Sequence, residues 1–339
     1  MTHEFKKIIE SGVRNREKGI KSVLATVVAL DGSSYRKPGV RMLLGEDGSM
    51  TGAVSGGCVE KEVLLQAQMV FQNNQAKMMT YDGRYRLGCE GILYILLEPF
   101  AVTGDLQEIF SSTFRERKSF VLESFFKKED FQSVEMGSLV HFGNGKTSAF
   151  SDVFQLKDLE NFLVFEQEMK PPFKMIIIGS EHDAVQMCSA AALMGWEVQV
   201  IASPKDPRSI ENFPGAGEVL HLTPEETTML AVDEETAVIL MNHNYARDLQ
   251  FLLAIKDKSP VYIGLLGAVK RREQLFNELI EFHPEIDYTF LDKIHGPAGL
   301  DIGAITPQEI AVSILSEILT VLRKKDAVFL KNKQDKIHN

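Results

Sequence analysis

The chain is poor in cysteine and has no long apolar run. Its three cysteines, Cys58, Cys89 and Cys188, form neither a disulfide framework nor a CxxC metal pattern. Free thiols in a reducing cytoplasm are the expectation. No stretch approaches the ~18–20 apolar residues needed to cross a bilayer, and "MTHEFKKIIESG" carries charge where a signal peptide needs its apolar region. Positive charge is short as well: 37 Lys and Arg against 47 Asp and Glu leave a net charge of −10, which argues against a general nucleic-acid binder. HExxH, GxSxG and GxxxxGK[ST] are all missing, so zincin, α/β-hydrolase and P-loop chemistry have no support.

What is present is ordinary globular sequence: 44% hydrophobic and 25% charged, with no tract that reads as disorder. At 339 residues it exceeds the ~250–300 at which single cores stop growing, so two or more cores are expected. Residues 1–100 read as an α+β domain. An amphipathic helix over residues 4–18 precedes the strand "KSVLATVVAL", the turn-rich "DGSSYRKPG", and short strands in "VRMLLG" and "MTGAV". A helix over residues 59–73 puts Val63, Ala67 and Val70 on one face, and "ILYILLEPF" reads as a buried strand. Residues 101–172 suggest a helix and alternating strands extending the same sheet, with a boundary at "KPP".

The pattern changes over residues 173–323. "FKMIIIG", "WEVQVIA", "TAVILMN" and "SPVYIGLLG" are apolar strands alternating with helical patterns, which predicts a doubly wound, Rossmann-like parallel sheet. In "TPQEIAVSILSEILTVL" Thr306 can cap, Pro307 suits the first helical position and Glu309 completes a capping box; "TPEE" at residues 223–226 carries the same signal. Residues 324–339 form a patternless tail.

A Rossmann strand ending in glycine invites a dinucleotide. Against G-x-G-x-x-G/A, the local "GSEHDA" keeps Gly179 and Ala184, but Glu181 replaces the glycine that lets backbone approach a pyrophosphate. The second strand ends in Ala202 and Ser203 rather than an acid, with Asp206 beyond a proline. Two of the four physical requirements are missing, which argues against NAD(P).

Candidate chemistry sits in loops. In "SGGCVEKE", Ser55, Gly56 and Gly57 can turn backbone N–H groups into one anion-binding hollow, and a helix starting near Val59 adds its own. The same field favours the thiolate of Cys58, partly offset by Glu60. A buried, inert Cys58 is the competing explanation. Cys89 in "LGCEG" is a second Gly-flanked thiol, opposed by Glu90 and favoured by Arg84 and Arg86. Together the two could offer soft ligands to one site. Arg36, Lys37 and Arg41 accompany a turn suited to phosphate, or simply solvated. In the second half, His243 follows a strand; Lys270, Arg271 and Arg272 oppose a helix dipole unless an anion lies between; His295 and Asp301 lie in a Gly/Pro-rich loop.

Taken together, "VLATVVALDGSSYRKPGVRMLL…GAVSGGCVE", "LGCEG…LLEP", "YIGLLGAVKRR" and "GPAGLDIGAITPQEIAVSILSEI" resemble the XdhC/CoxI family of xanthine dehydrogenase accessory factors over residues ~20–100 and ~173–323. The resemblance implies a chaperone without turnover of its own. It would bind molybdenum cofactor (molybdopterin), protect it while a cysteine desulfurase installs its sulfido ligand, and help insert it into a molybdenum hydroxylase such as xanthine dehydrogenase. Cys58 and Cys89 would be the family's loop cysteines, and a homodimer is expected. The departures are "GSEHDA" for the glycine-rich turn, Ala202 for the acidic strand end, Asn242-His243 for Thr-His, and Glu90 for the glycine after the second cysteine. The alternatives are an NAD(P)- or nucleotide-dependent oxidoreductase using His243 or Asp301 as acid–base group, and a docking factor without bound cofactor.

Overall fold

The structure, a computed structural model, describes residues 1–332 apart from 33, 35, 36, 58, 86–90, 156, 158–160 and 243. Two units divide the chain, Met1–Pro171 and Pro172–Asn339. Among the described residues, no helix is long and apolar enough to cross a membrane.

The first unit runs α1 (Thr2–Glu17), β1 (Ser22–Asp31), β2 (Arg41–Gly45), β3 (Met50–Gly52), α2 (Glu60–Asn73), β4 (Ala76–Asp82), β5 (Ile92–Pro99) and α3 (Gly104–Arg115). It continues with β6 (Phe120–Phe126), β7 (Gln132–Ser133), β8 (Gly137–Phe142), β9 (Thr147–Ala149) and β10 (Leu163–Met169). An antiparallel sheet has the order β3-β2-β1-β5-β4-β7. Strand β1 is buried on both faces, which is why it reads as one apolar run. Val23, Ala25 and Val27 pack against Val63, Ala67 and Val70 of α2, while Leu24 packs with Phe5, Ile8 and Ile9 of α1.

The expectation that residues 101–172 extend this sheet is corrected. Only β7 joins it; β10-β6-β8-β9 form a separate four-stranded sheet. Phe120, Phe125 and Phe126 of β6 are buried, and they pack against the first sheet and its helices rather than beside its strands. Covering a face buries these aromatic rings, whereas an edge position would leave them in water.

The second unit runs β11 (Lys174–Ile178), α4 (His182–Leu193), β12 (Glu197–Ala202), β13 (Glu218–His221), β14 (Thr236–Leu240) and α5 (Tyr245–Ile255). After these come β15 (Tyr262–Leu265), α6 (Val269–Phe282), α7 (Tyr288–Leu291), β16 (Ile294–His295) and α8 (Pro307–Arg323). The sheet is parallel, in the order β13-β12-β11-β14-β15-β16. That is the 3-2-1-4-5-6 order of a Rossmann fold, whose strand direction of progress reverses between its first and fourth strands. Met175 and Ile177 of β11 face α4 and α8; Ile176 and Ile178 face α5 and α6. Two covered faces explain the continuous aliphatic run "MIII". The capping box at α8 is present: Thr306 Oγ1 accepts from the Glu309 amide, and the Glu309 carboxylate accepts from the amides of Thr306 and Ile305. The same pairing of Thr223 and Glu226 opens only a 3₁₀ turn, Glu225–Met229.

Candidate functional site

In the first unit one end of the six-stranded sheet collects the loops singled out by composition. Ile92 at the start of β5 is paired with Asp31 at the end of β1 and with Asp82 at the end of β4. Met42 near the start of β2 is paired with Gly52 at the end of β3. Cys58, Cys89 and Arg36 lie outside the described residues. Gly57 and Val59, Gly91, and Lys37, which adjoin them or their loops in the chain, are described.

Here Ser55 is buried and anchors the glycine loop. Its N–H donates to Glu60 Oε1 at 2.8 Å and its hydroxyl donates to Glu60 Oε2 at 2.6 Å. In turn Ser55 Oγ accepts from the N–H groups of Gly57 at 3.0 Å and Val59 at 3.2 Å. The expected hollow of free N–H groups is therefore corrected: the Ser55 amide is taken by Glu60, and the amides of Gly57 and Val59 are taken by Ser55 Oγ. Burial pushes the Glu60 carboxyl up, but the bonds from Ser55 and the helix-start amides outweigh it and leave it below the usual range. Gly56 and Gly57 are exposed, and a Cβ added to either would meet nothing within 4 Å. Space is open above the loop.

Arg41 is not at a surface turn. It is 7% exposed on β2, donates to the carbonyl of Gly39 at 3.0 Å and to Gln167 Oε1, and lies over the Phe5 ring. Its burial removes it as a surface phosphate ligand. Burial lowers Arg41 to about 10, still protonated at neutral pH. Glu98, 1% exposed, is raised to about 7 by burial, against hydrogen bonds from the Ser138 amide and hydroxyl and the charge of Arg41.

Three residues that sequence reading missed also meet at this end. Asp31 accepts from Tyr94 Oη at 2.9 Å and from Lys128 Nζ at 2.7 Å, and Lys128 lies 4.6 Å from the centre of the Tyr94 ring. Hydrogen bonds from Lys128 and Tyr94 hold the Asp31 carboxyl below its ordinary value. Separations of 63 and 97 residues leave no local signal for this group.

In the second unit the turn after β11 is closed by its own side chains. Gly179 has φ +135°, and an added Cβ would stand 2.6 Å from the carbonyl oxygen of Met241, so only glycine fits. Arg208 donates to Asp206 through Nε at 3.0 Å and Nη2 at 2.9 Å. The same Nη2 also donates to Ser180 Oγ and to Glu181 Oε1, both at 3.1 Å, and Ser180 donates to Asp206. This bidentate pair holds the Asp206 carboxyl far below its usual range. Glu181, which stands where the dinucleotide fingerprint has its second glycine, thus bonds Arg208.

His243 lies outside the described residues. Beside it in the chain, Asn242 Nδ2 donates to Asp248 Oδ1 at 3.1 Å, and Asp248, 1% exposed, pairs with Arg271 Nη2. Lys270 is exposed at the start of α6. Arg272 packs on Gly296 and lies over Phe276, which accounts for its position by packing. Asp301 is exposed. His295 Nδ1 bonds Glu317 Oε1 at 3.1 Å and its ring stacks on buried Tyr262, whose hydroxyl donates to the same carboxylate. The Gly299 amide is that carboxylate's third donor, tying its loop to α8. Cys188 is fully buried, and burial pushes its thiol up to about 11, so it is a core residue. Among the described residues, no group of three His, Cys, Asp or Glu could hold a metal ion.

Residues 16–82 match the XdhC and CoxI family, and residues 175–318 match the XdhC Rossmann domain. The chain is 28% identical over 328 residues to a probable xanthine dehydrogenase subunit of Bacillus subtilis (strain 168), covering 91% of this chain and 95% of that protein. It is 24% identical over 326 residues to the molybdenum cofactor insertion chaperone PaoD of Escherichia coli (strain K12), covering 95% and 90%. A crystal structure described as a xanthine dehydrogenase from Bacillus halodurans superposes with a TM-score of 0.76 at 25% identity, over 96% of this chain and 98% of that one. With the Rossmann strand order and the glycine loop both in place, the chain belongs to the XdhC/CoxI family.

Proposed function

We propose that this chain binds molybdenum cofactor and delivers it to a molybdenum hydroxylase of the xanthine dehydrogenase type, without turnover of its own. The observation that supports this most is the likeness to a molybdenum cofactor insertion chaperone, which runs nearly end to end in both chains. The first unit suits such a cargo. Gly56 and Gly57 leave open space beside Cys58 in the chain, and a thiolate is a ligand for a soft metal. In this reading Cys58 and Cys89 take the metal end of the cofactor, and Arg36 and Lys37 take its phosphate. Ser55 and Glu60 hold the loop in shape, and Asp31 and Tyr94 hold Lys128 at the same end of the sheet. A cysteine desulfurase acts on the bound cofactor, and a homodimer is the working unit.

The test is retention of cofactor released from a molybdoenzyme, measured as pterin fluorescence and molybdenum content after gel filtration. Wild-type protein should retain both, and Cys58→Ala should lose most of each. Equal retention by the Cys58→Ala/Cys89→Ala protein would remove the thiols from the site, and no retention by the wild type would end the reading.

A further inference from the structure

We infer that the first unit has a second ligand site, a cavity at the far end of the six-stranded sheet, which takes a small carboxylic acid with an apolar body. The inference stands apart from the cofactor-delivery reading. Ser22 and Pro99, which line the cavity, begin β1 and end β5. The candidate site lies at the other end of the same strands, where Asp31 pairs with Ile92.

The cavity measures about 170 Å³, close to the ~150 Å³ of an apolar cavity that holds benzene. It falls below the ~300–1,000 Å³ of sites for drug-sized ligands, so neither a nucleotide nor a pterin cofactor fits whole. Its walls are apolar. Val70 and Phe71 come from the last turn of α2, and Phe150 packs on Phe100 with ring centres 4.9 Å apart. Gly12 of α1 lies against the same ring: an added Cβ would stand 2.7 Å from Phe100 Cε1 and force the ring aside.

The polar lining has more donors than acceptors. Ser22 and Ser151 are buried. Ser22 Oγ accepts from Asn15 Nδ2 at 2.9 Å, and Ser151 Oγ accepts from the Val153 amide at 3.3 Å. Neither hydroxyl donates to a described residue, so both can turn toward an acceptor in the cavity. Lys21 donates to the Phe71 carbonyl at 3.2 Å, which offsets the negative end of α2, and an ammonium has further protons to give. Arg16 donates to the Val102 carbonyl and to Gln107 Oε1. Both cations are exposed, and neither is ion-paired with a described carboxylate. Asp152 is the one acid among the lining residues, so two cations face a single negative charge. Unfilled hydroxyl donors and net positive charge beside aromatic walls suit a carboxylate carried on a compact apolar body.

Calorimetric titration of the full chain at low salt tests this, with benzoate as probe and benzyl alcohol and benzylammonium as its neutral and cationic analogues. Benzoate should bind, and both analogues should bind about tenfold more weakly or not at all. Cross-peaks between the benzoate ring and the Val70 methyl protons should place it in the cavity. Ser151→Ala should weaken benzoate about three- to tenfold. Because Ser151 is buried, Lys21→Gln is the second variant: the site is exposed, and its amide can still donate to the Phe71 carbonyl. It should weaken benzoate about five- to tenfold and leave benzyl alcohol unchanged. Failure of benzoate to bind folded wild-type protein at millimolar concentration overturns the inference. So does benzoate binding that survives both substitutions, or an analogue that binds as tightly as benzoate.

Discussion

Glu60 and Ser55 form a closed pair at the start of α2. The carboxylate accepts from the serine amide at 2.8 Å and from its hydroxyl at 2.6 Å, and the hydroxyl oxygen passes order on to the amides of Gly57 and Val59. Gly57 and Val59 are thus tied to a serine that an acid within the protein holds.

Ser55→Ala removes the acceptor for two amides at once. Each neutral hydrogen bond is worth about 1 kcal/mol, so protection of the Val59 amide from hydrogen exchange should fall about fivefold while the six-stranded sheet is unchanged. Acid should have the same effect. The Glu60 carboxyl lies below its usual value in the folded loop, so its contribution is present above the unfolded value near about 4.3. It is lost as pH falls through the lowered folded value. Exchange at Val59, corrected for intrinsic rate, should therefore rise below about pH 4. Unchanged protection in the mutant and in acid would show that the loop is held otherwise.

Glu98 gives the opposite pH dependence. Its carboxyl is raised from 4.5 to about 7, so the folded state binds that proton more tightly than the unfolded chain does. The contribution is full below the unfolded value and is lost as pH rises toward 7, on the order of 3 kcal/mol in all. Glu98→Gln should flatten that slope. The readout is urea unfolding followed by hydrogen exchange in β5 peptides at several pH values. A mutant with the wild-type slope would remove Glu98 as its source.

Asp248→Ala leaves Arg271 without its partner and should destabilise the second unit by about 3–5 kcal/mol. Asp248→Leu combined with Arg271→Met should recover most of that loss, because two charges leave together. The single tryptophan, Trp196, packs on Phe173 with ring centres 4.6 Å apart, so its fluorescence in denaturant reports this unit. Additive losses in the double variant would refute the coupling.

Thr306→Ala should cost about 1 kcal/mol through loss of the α8 cap, read by the same fluorescence. Glu309→Gln, which keeps an acceptor for the Thr306 and Ile305 amides, should cost less. Equal losses would place the cap's value in the charge of Glu309 rather than in the Thr306 bond.

Features written locally were legible in the sequence. The Rossmann strands stood out as aliphatic runs, and α8 announced itself through Thr306, Pro307 and Glu309. The buried face of α2 followed from helical spacing at Val63, Ala67 and Val70. Strand β4 was not legible: Ala76, Lys77, Met78 and Met79 are all buried, so no alternation appears, and its lysine is paired with Asp130 at 2.9 Å. Arg41 looked like a turn cation because nothing local reveals that Gln167, 126 residues away, covers it. Glu60 had a signal that can be read: an acid in the first turn, five residues after a serine, is close to a capping box. Arg208 had none, since its role depends on β12 returning beside β11.

Carriage of the cofactor by the two loop thiols is open to native mass spectrometry of the chain purified gently from a host that makes molybdenum cofactor. A population heavier by one pterin with its molybdenum is expected, missing from the Cys58→Ala/Cys89→Ala protein and from a host blocked in pterin synthesis. A bare chain from the competent host, or the same added mass on the protein without Cys58 and Cys89, would refute it.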